Sequence, residues 1–193
     1  THFEKLIREK GQPKILDIGG ELHYWEQLDF DISQCHITLL NLDAYPIPAD
    51  KTNFVSVAGN AMDLPYKKGD FDMVYSNSVI EHMGSKKGQE QFAQQVFKVA
   101  DKFIIQTPSF WFPLEPHSRI PLFQFIPHFL RAYLIMAFNI NYFPKQKNYK
   151  DAFNTSKSTI LFTKARLQQL FPGCECVTET LFGLPKSYLI IKM

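Results

Sequence analysis

This 193-residue chain is short of several things, and each shortage excludes a class of protein. It has only three cysteines, Cys35, Cys174 and Cys176, an odd number without C-x-x-C spacing. No disulfide framework or cysteine zinc site is therefore expected. Without a secretory apolar leader as well, the reading is a reducing, cytoplasmic protein. The chain opens on Thr1 and reads as a processed or trimmed product. Basic excess is also missing: 21 Lys+Arg against 19 Asp+Glu gives a formal net charge of +2. A phosphate-tracking surface carries more, so no nucleic-acid partner is expected. There is no internal repeat and no low-complexity tract. Apolar residues at 45% and charged residues at 21% exclude a disordered or collagen-like chain.

What is present in excess is phenylalanine, 18 residues in all. Seven of them fall between Phe110 and Phe143, together with Trp111, Tyr133 and Tyr142. The same stretch has no acidic residue between Glu115 and Asp151, yet it carries Arg119, Arg131, Lys145, Lys147 and Lys150. Its longest chargeless run, 132–144, is far shorter than the roughly 20 residues that cross a bilayer. Pro108, Pro113, Pro116, Pro121, Pro127 and Pro144 break it into short pieces. Two short amphipathic helices are expected, at 122–130 and 133–137. Residues 1–193 read as one domain, with 110–150 an aromatic, proline-rich insert or lid within it.

Around that insert the apolar pattern alternates. Strands are expected at 14–18, 35–42, 53–57, 71–76 and 102–107, and helices at 1–10, 21–28, 89–99 and 163–171. A closing hairpin is expected over 176–182 and 187–192. Strands alternating with helices indicate an α/β fold, a doubly wound parallel sheet covered on both faces.

In such a sheet, ligands bind beyond the carboxyl ends of the strands at the point where strand order reverses. Strand 1 delivers Asp17 and Gly19-Gly20 there, and strand 2 delivers Asp43, placed to accept both hydroxyls of a ribose. A dinucleotide needs G-x-G-x-x-G to seat its pyrophosphate. The second and third glycine positions are here Glu21 and Tyr24, an anion and a bulky ring. S-adenosylmethionine carries a sulfonium and an ammonium instead of phosphates, and Asp17 and Glu21 suit it.

The segments ILDIGG (15–20), LLNLDA (39–44), GNAMDLPY (59–66), FDMVYSNSVIEHM (71–83) and FIIQTPS (103–109) together resemble the class I S-adenosylmethionine-dependent methyltransferases, the UbiE-like or type 11 branch. They span most of residues 13–110. The resemblance implies a Rossmann-like seven-stranded sheet, mostly parallel with an antiparallel last strand, and S-adenosyl-L-methionine as cofactor. It implies that Asp17, Gly19 and Gly20 cradle the methionine portion and that Asp43 holds the ribose. Ala61, Met62 and Asp63 would flank the adenine, and Asn77 would close the pocket. Where the family's usual pattern is D-x-G-x-G-x-G, this chain has D-I-G-G-E-L-H-Y-W.

His82, just after strand 4, and His117, after strand 5, are the candidate catalytic bases, since methyl transfer to oxygen needs proton removal. Trp111, Phe112 and Glu115 are the candidate acceptor pocket. Glu81-His82 is similar to the E-x-x-E-H metal site of some O-methyltransferases, but the first Glu is here Ser78, so no metal is expected. The leading function is O-methylation of a bulky apolar or lipid-linked small molecule, with peripheral membrane contact open. The alternative is a non-catalytic Rossmann-like pseudoenzyme whose insert binds a partner or membrane surface.

Overall fold

A computed structural model describes residues 2–29 and 31–193. The five expected parallel strands form at β1 (Lys14–Ile18), β2 (His36–Asn41), β3 (Phe54–Ala58), β4 (Met73–Asn77) and β5 (Phe103–Pro108). The closing hairpin forms from β6 (Glu175–Leu181) and β7 (Leu184–Lys192). All seven join one sheet in the order β3-β2-β1-β4-β5-β7-β6. β7 inserts antiparallel beside β5, with Ile105 opposite Ile190, and β6 pairs antiparallel on its outer side. The sheet class expected from the sequence is the one observed.

Alternation along β1 decides what lies on each face. Leu16 and Ile18 point into one core with Leu40, Val74 and Ile105. There they meet Phe92, Val96 and Val99 of α3 (Lys86–Val99) and Leu167 and Leu170 of α6 (Lys164–Leu170). Ile15 points to the other face, where α1 (His2–Lys10) contributes Phe3 and Leu6 and α2 (Leu22–Glu26) contributes Trp25. Complete burial of a side chain of this size stabilises by about 1.5–3 kcal/mol, so both layers hold β1 firmly at the centre. The chain runs outward from β1 to β3 and then returns to β4 on the other side of β1. The reversal point therefore lies at the carboxyl ends of β1 and β4, beside Gly19-Gly20 and Asn77-Ser78.

The aromatic stretch departs from its expected helices. The 122–130 segment is a short 3-10 turn at Phe123–Phe125, and Pro127 then starts α4 (His128–Ala137). Pro127 is the reason: it cannot continue a helix but fits immediately before one. A further helix, α5 (Tyr149–Ser156), packs on α4 and is capped by Asn148, whose side chain accepts from the Asp151 amide. Phe123, Ala132, Ile135, Ile140, Phe143 and Ala152 form a small core of this region's own.

Candidate active site

Three depressions that share lining residues open at the reversal point. The first, about 270 Å³, is lined by Ile18, Gly19, Leu40, Ala61, Met62 and His82, among others. The second is bordered by Asp17, Gly19, Gly20, Glu21, Tyr24 and Asn77. The third is bordered by Glu21, Asn41, Asp43 and Tyr45. No Lys or Arg lines any of them, whereas Asp17, Glu21 and Asp43 do. That charge pattern disfavours a pyrophosphate and suits a cationic ligand.

The loop after β1 folds tightly onto its own acid. Gly19 has φ +75°, and a Cβ there would lie 2.3 Å from Val79 Cγ2. A Cβ on Gly20 would lie 1.8 Å from Asp17 Oδ2. Both positions therefore require glycine. The loop is tied down from the β2 side: Asn41 Nδ2 donates to the Gly20 carbonyl at 2.9 Å, and the Tyr45 hydroxyl donates to the same oxygen at 3.3 Å. The Leu22 amide in turn donates to the Tyr45 hydroxyl at 3.2 Å. Asn41 and Tyr45 were missed in the sequence. A polar residue closing β2 directly after the buried Leu39-Leu40, opposite the glycine loop, was the available signal.

Asp17 is 1% exposed. Trp25 Nε1 donates to its Oδ2 at 2.6 Å, while Oδ1 is buried without a partner. Burial pushes the carboxyl up to about 7, and the Trp25 hydrogen bond offsets part of that rise. The bulky pair after the loop does not fill it. Trp25 turns into the core against Phe3 and Tyr75, and Tyr24 stacks on Tyr75 with their hydroxyls hydrogen-bonded. An unpaired, buried carboxylate oxygen beneath a glycine loop fits the ammonium end of S-adenosylmethionine, which would be held by Asp17 and Gly20.

The remaining cofactor candidates divide. Ala61 and Met62 line the first depression, Asn77 the second and Asp43 the third. Asp63 lines none of the three, and its side chain is exposed. The turn explains this: Asn60 Oδ1 accepts from the Met62 amide and the Asn60 carbonyl from the Asp63 amide, both at 2.9 Å, which curls Asp63 outward. Asn60 borders the first depression in its place.

The two candidate bases are brought together. His82 Nε2 and His117 Nε2 lie 3.1 Å apart. His117 Nδ1 donates to Glu115 Oε1 at 2.8 Å, and Glu115 also accepts from the amides of His117 and Ser118. Burial pushes the Glu115 carboxyl up, but these hydrogen bonds outweigh it and leave it below the usual carboxylate range. Burial and the neighbouring His117 lower His82, so it is neutral near pH 7.

Glu81 lies beneath this pair. Its Oε2 accepts from Thr107 Oγ1 at 2.9 Å, its Oε1 is buried without a partner, and burial raises it to about 7. One atom each of Glu81, His82 and His117 lie within 4.8 Å of one another. The third member, His117, comes from beyond β5 and not from position 78, where the similar motif has its first Glu. That spacing is open to a divalent cation as well as to a shared proton.

A separate cavity of about 360 Å³ lies on the other side of Glu115. Phe110, Glu115, Phe123, Arg131, Phe143 and Lys157 are among its walls. Trp111 and Phe112 are not. Trp111 is 54% exposed and packs on Phe110 and Phe125, and Phe112 offers only its carbonyl, to Gln124 Nε2. The cavity adjoins the first depression: Met83 lines one and Gly84 the other.

Comparison with known proteins places this geometry. The family model described as a methyltransferase domain matches residues 16–102. No curated protein matches the sequence. Among solved structures, the chain is similar to a SAM-dependent methyltransferase of Methanosarcina mazei at 13% identity and TM-score 0.53, covering 96% of this chain and 94% of that one. It is also similar to phosphoethanolamine N-methyltransferase 2 of Haemonchus contortus, solved with S-adenosylhomocysteine, at 12% identity and TM-score 0.53, covering 92% of this chain and 38% of that one. A Nostoc punctiforme structure named as an O-methyltransferase gives 13% identity and TM-score 0.53, covering 99% and 55%. The chain thus spans about half the length of some of the structures it matches. Residues 16–102 match the methyltransferase domain family of the type 11 branch, and the chain takes the class I methyltransferase fold.

Proposed function

We propose that this chain transfers a methyl group from S-adenosyl-L-methionine to an oxygen of a bulky apolar or lipid-linked small molecule. The observation that carries the reading is the Glu115–His117–His82 chain, which joins the first depression, lined by Gly19, Ala61 and Met62, to the aromatic cavity. Bound, the cofactor supplies an electrophilic methyl, and displacement in line with its leaving sulfur needs an aligned, deprotonated oxygen.

The residues of this chain provide that alignment and proton removal. Glu115 fixes the proton of His117 on Nδ1, which leaves His117 Nε2 as an acceptor. His82 then donates through Nε2 and keeps Nδ1 free as the base. Glu115 and His117 are positioning residues; His82 takes the acceptor's proton. The 110–150 segment serves as the acceptor lid, with Phe110, Phe123 and Phe143 holding the apolar body. Trp111 and Phe112 act from outside that cavity, by packing and through the Phe112 carbonyl. A pseudoenzyme is the weaker reading, since a structural scaffold has no need for this proton chain or for the unpaired Asp17 oxygen.

The test is transfer from isotopically labelled cofactor to lipid-extract hydroxyl acceptors, with the product identified by mass spectrometry. His82→Ala is expected to lower kcat about 10²–10⁴-fold. Glu115→Gln should lower it less and shift the pH profile, with cofactor affinity retained in both. Activity should survive a chelator. Loss of activity on chelation would assign the Glu81–His82–His117 group to a cation instead, and unchanged kcat in His82→Ala would remove His82 as the base.

A further inference from the structure

Helix α4 is apolar on the wrong side. Ala132 and Ile135 fill the small core beneath it, yet Phe129, Leu130 and Tyr133 on its outer face are 51%, 45% and 60% exposed. A surface helix ordinarily presents polar residues there. The patch extends through Trp111 and Phe125, half exposed and packed on one another, and through Phe138, 62% exposed just past the helix. Apolar surface gathered this way marks a binding face.

Charge identifies the partner. Tyr133 packs on Tyr149, with ring centroids 5.4 Å apart, which brings the start of α5 and its flanking Lys147 and Lys150 beside the apolar face. Lys145, Lys147, Lys150 and Arg119 are exposed and form no ion pair among the described residues. No carboxylate occurs from 116 to 150 to oppose an anion. No helix among the described residues is long and apolar enough to cross a membrane.

We propose that the outer face of α4, with Trp111 and Phe125, docks on an anionic phospholipid bilayer. Its aromatic and leucine side chains enter the headgroup–acyl boundary, and Lys145, Lys147 and Lys150 meet the lipid phosphates. This holds whether or not the chain transfers methyl groups. If it does, docking sets the aromatic cavity against the layer that would supply a lipid-linked acceptor.

The experiment is co-sedimentation with vesicles of phosphatidylcholine alone and of phosphatidylcholine with phosphatidylglycerol, without cofactor. Binding should be confined to the anionic vesicles, weaken with salt and shift Trp fluorescence to the blue. Phe129→Ser with Tyr133→Ser should abolish it. Lys145→Glu with Lys147→Glu should weaken it at least about tenfold, on roughly 1 kcal/mol per basic residue. Unchanged thermal melts would show that the variants fold. Absence of wild-type binding, or binding that both folded variants retain, overturns the proposal. So does a stable dimer by light scattering that Phe129→Ser with Tyr133→Ser dissociates, since a second copy would then cover the face.

Discussion

Asp17 is the buried acid of the depressions at the strand ends. It is buried, gripped through one oxygen by Trp25 and unpartnered at the other. Its folded pKa of about 7 lies above the usual 3.8, so the folded state holds its proton more tightly than the unfolded chain does. The stability it contributes is fully present below the unfolded value and is lost as pH rises through about 7. Asp17→Asn keeps an acceptor for Trp25 and removes the titration. Scanning calorimetry should find the wild type losing stability relative to Asp17→Asn between about pH 4 and pH 7, by a few kcal/mol at most, with no further loss above that range. Parallel pH profiles would mean that Asp17 is paired or hydrated in the folded protein. The sequence marked Asp17 as a ligand-facing acid. It could not mark Trp25 as its partner, because the eight-residue separation closes only when α2 folds back under β1.

Elements with strong periodicity were legible and those held by caps were not. β1 was read at its observed bounds because four of its five residues are buried and the run ends on a glycine turn. α3 was read from 89 although it begins at Lys86, since its first turn offers only lysines and a glycine to an apolar pattern. What starts it is Ser85, whose hydroxyl accepts from the Gly88 amide at 3.0 Å. Ser85→Ala should cost about 1 kcal/mol, seen as a lower denaturant midpoint with an unchanged slope. An unaltered midpoint would show that the cap carries no stability. α5 was missed for the same reason: its largely polar sequence buries only Ala152 and Ser156, and Asn148 caps it. In the aromatic segment the count of phenylalanines was informative, but their division was not. Phe123 and Phe143 build a core while Phe125, Phe129 and Phe138 face outward, a split decided by where Pro127 starts α4.

Across the whole molecule, the sheet separates two kinds of surface. Acids line the depressions at the ends of β1 and β2, and the cavity beyond β5 carries aromatics with Arg131 and Lys157. Most of the residues gathered at the reversal point were legible, because they follow strand ends in sequence order. The histidine chain was legible only as two separate candidates, since 35 residues separate His82 from His117 and β5 must pair with β4 to join them. Calorimetric titration with S-adenosylhomocysteine would show whether the acidic end takes an S-adenosyl cofactor. The expected result is saturable one-to-one binding, weakened at least about tenfold by Asp43→Ala through loss of the ribose contact, with no binding of a nicotinamide dinucleotide. Absence of both heat and thermal shift at millimolar S-adenosylhomocysteine would contradict it.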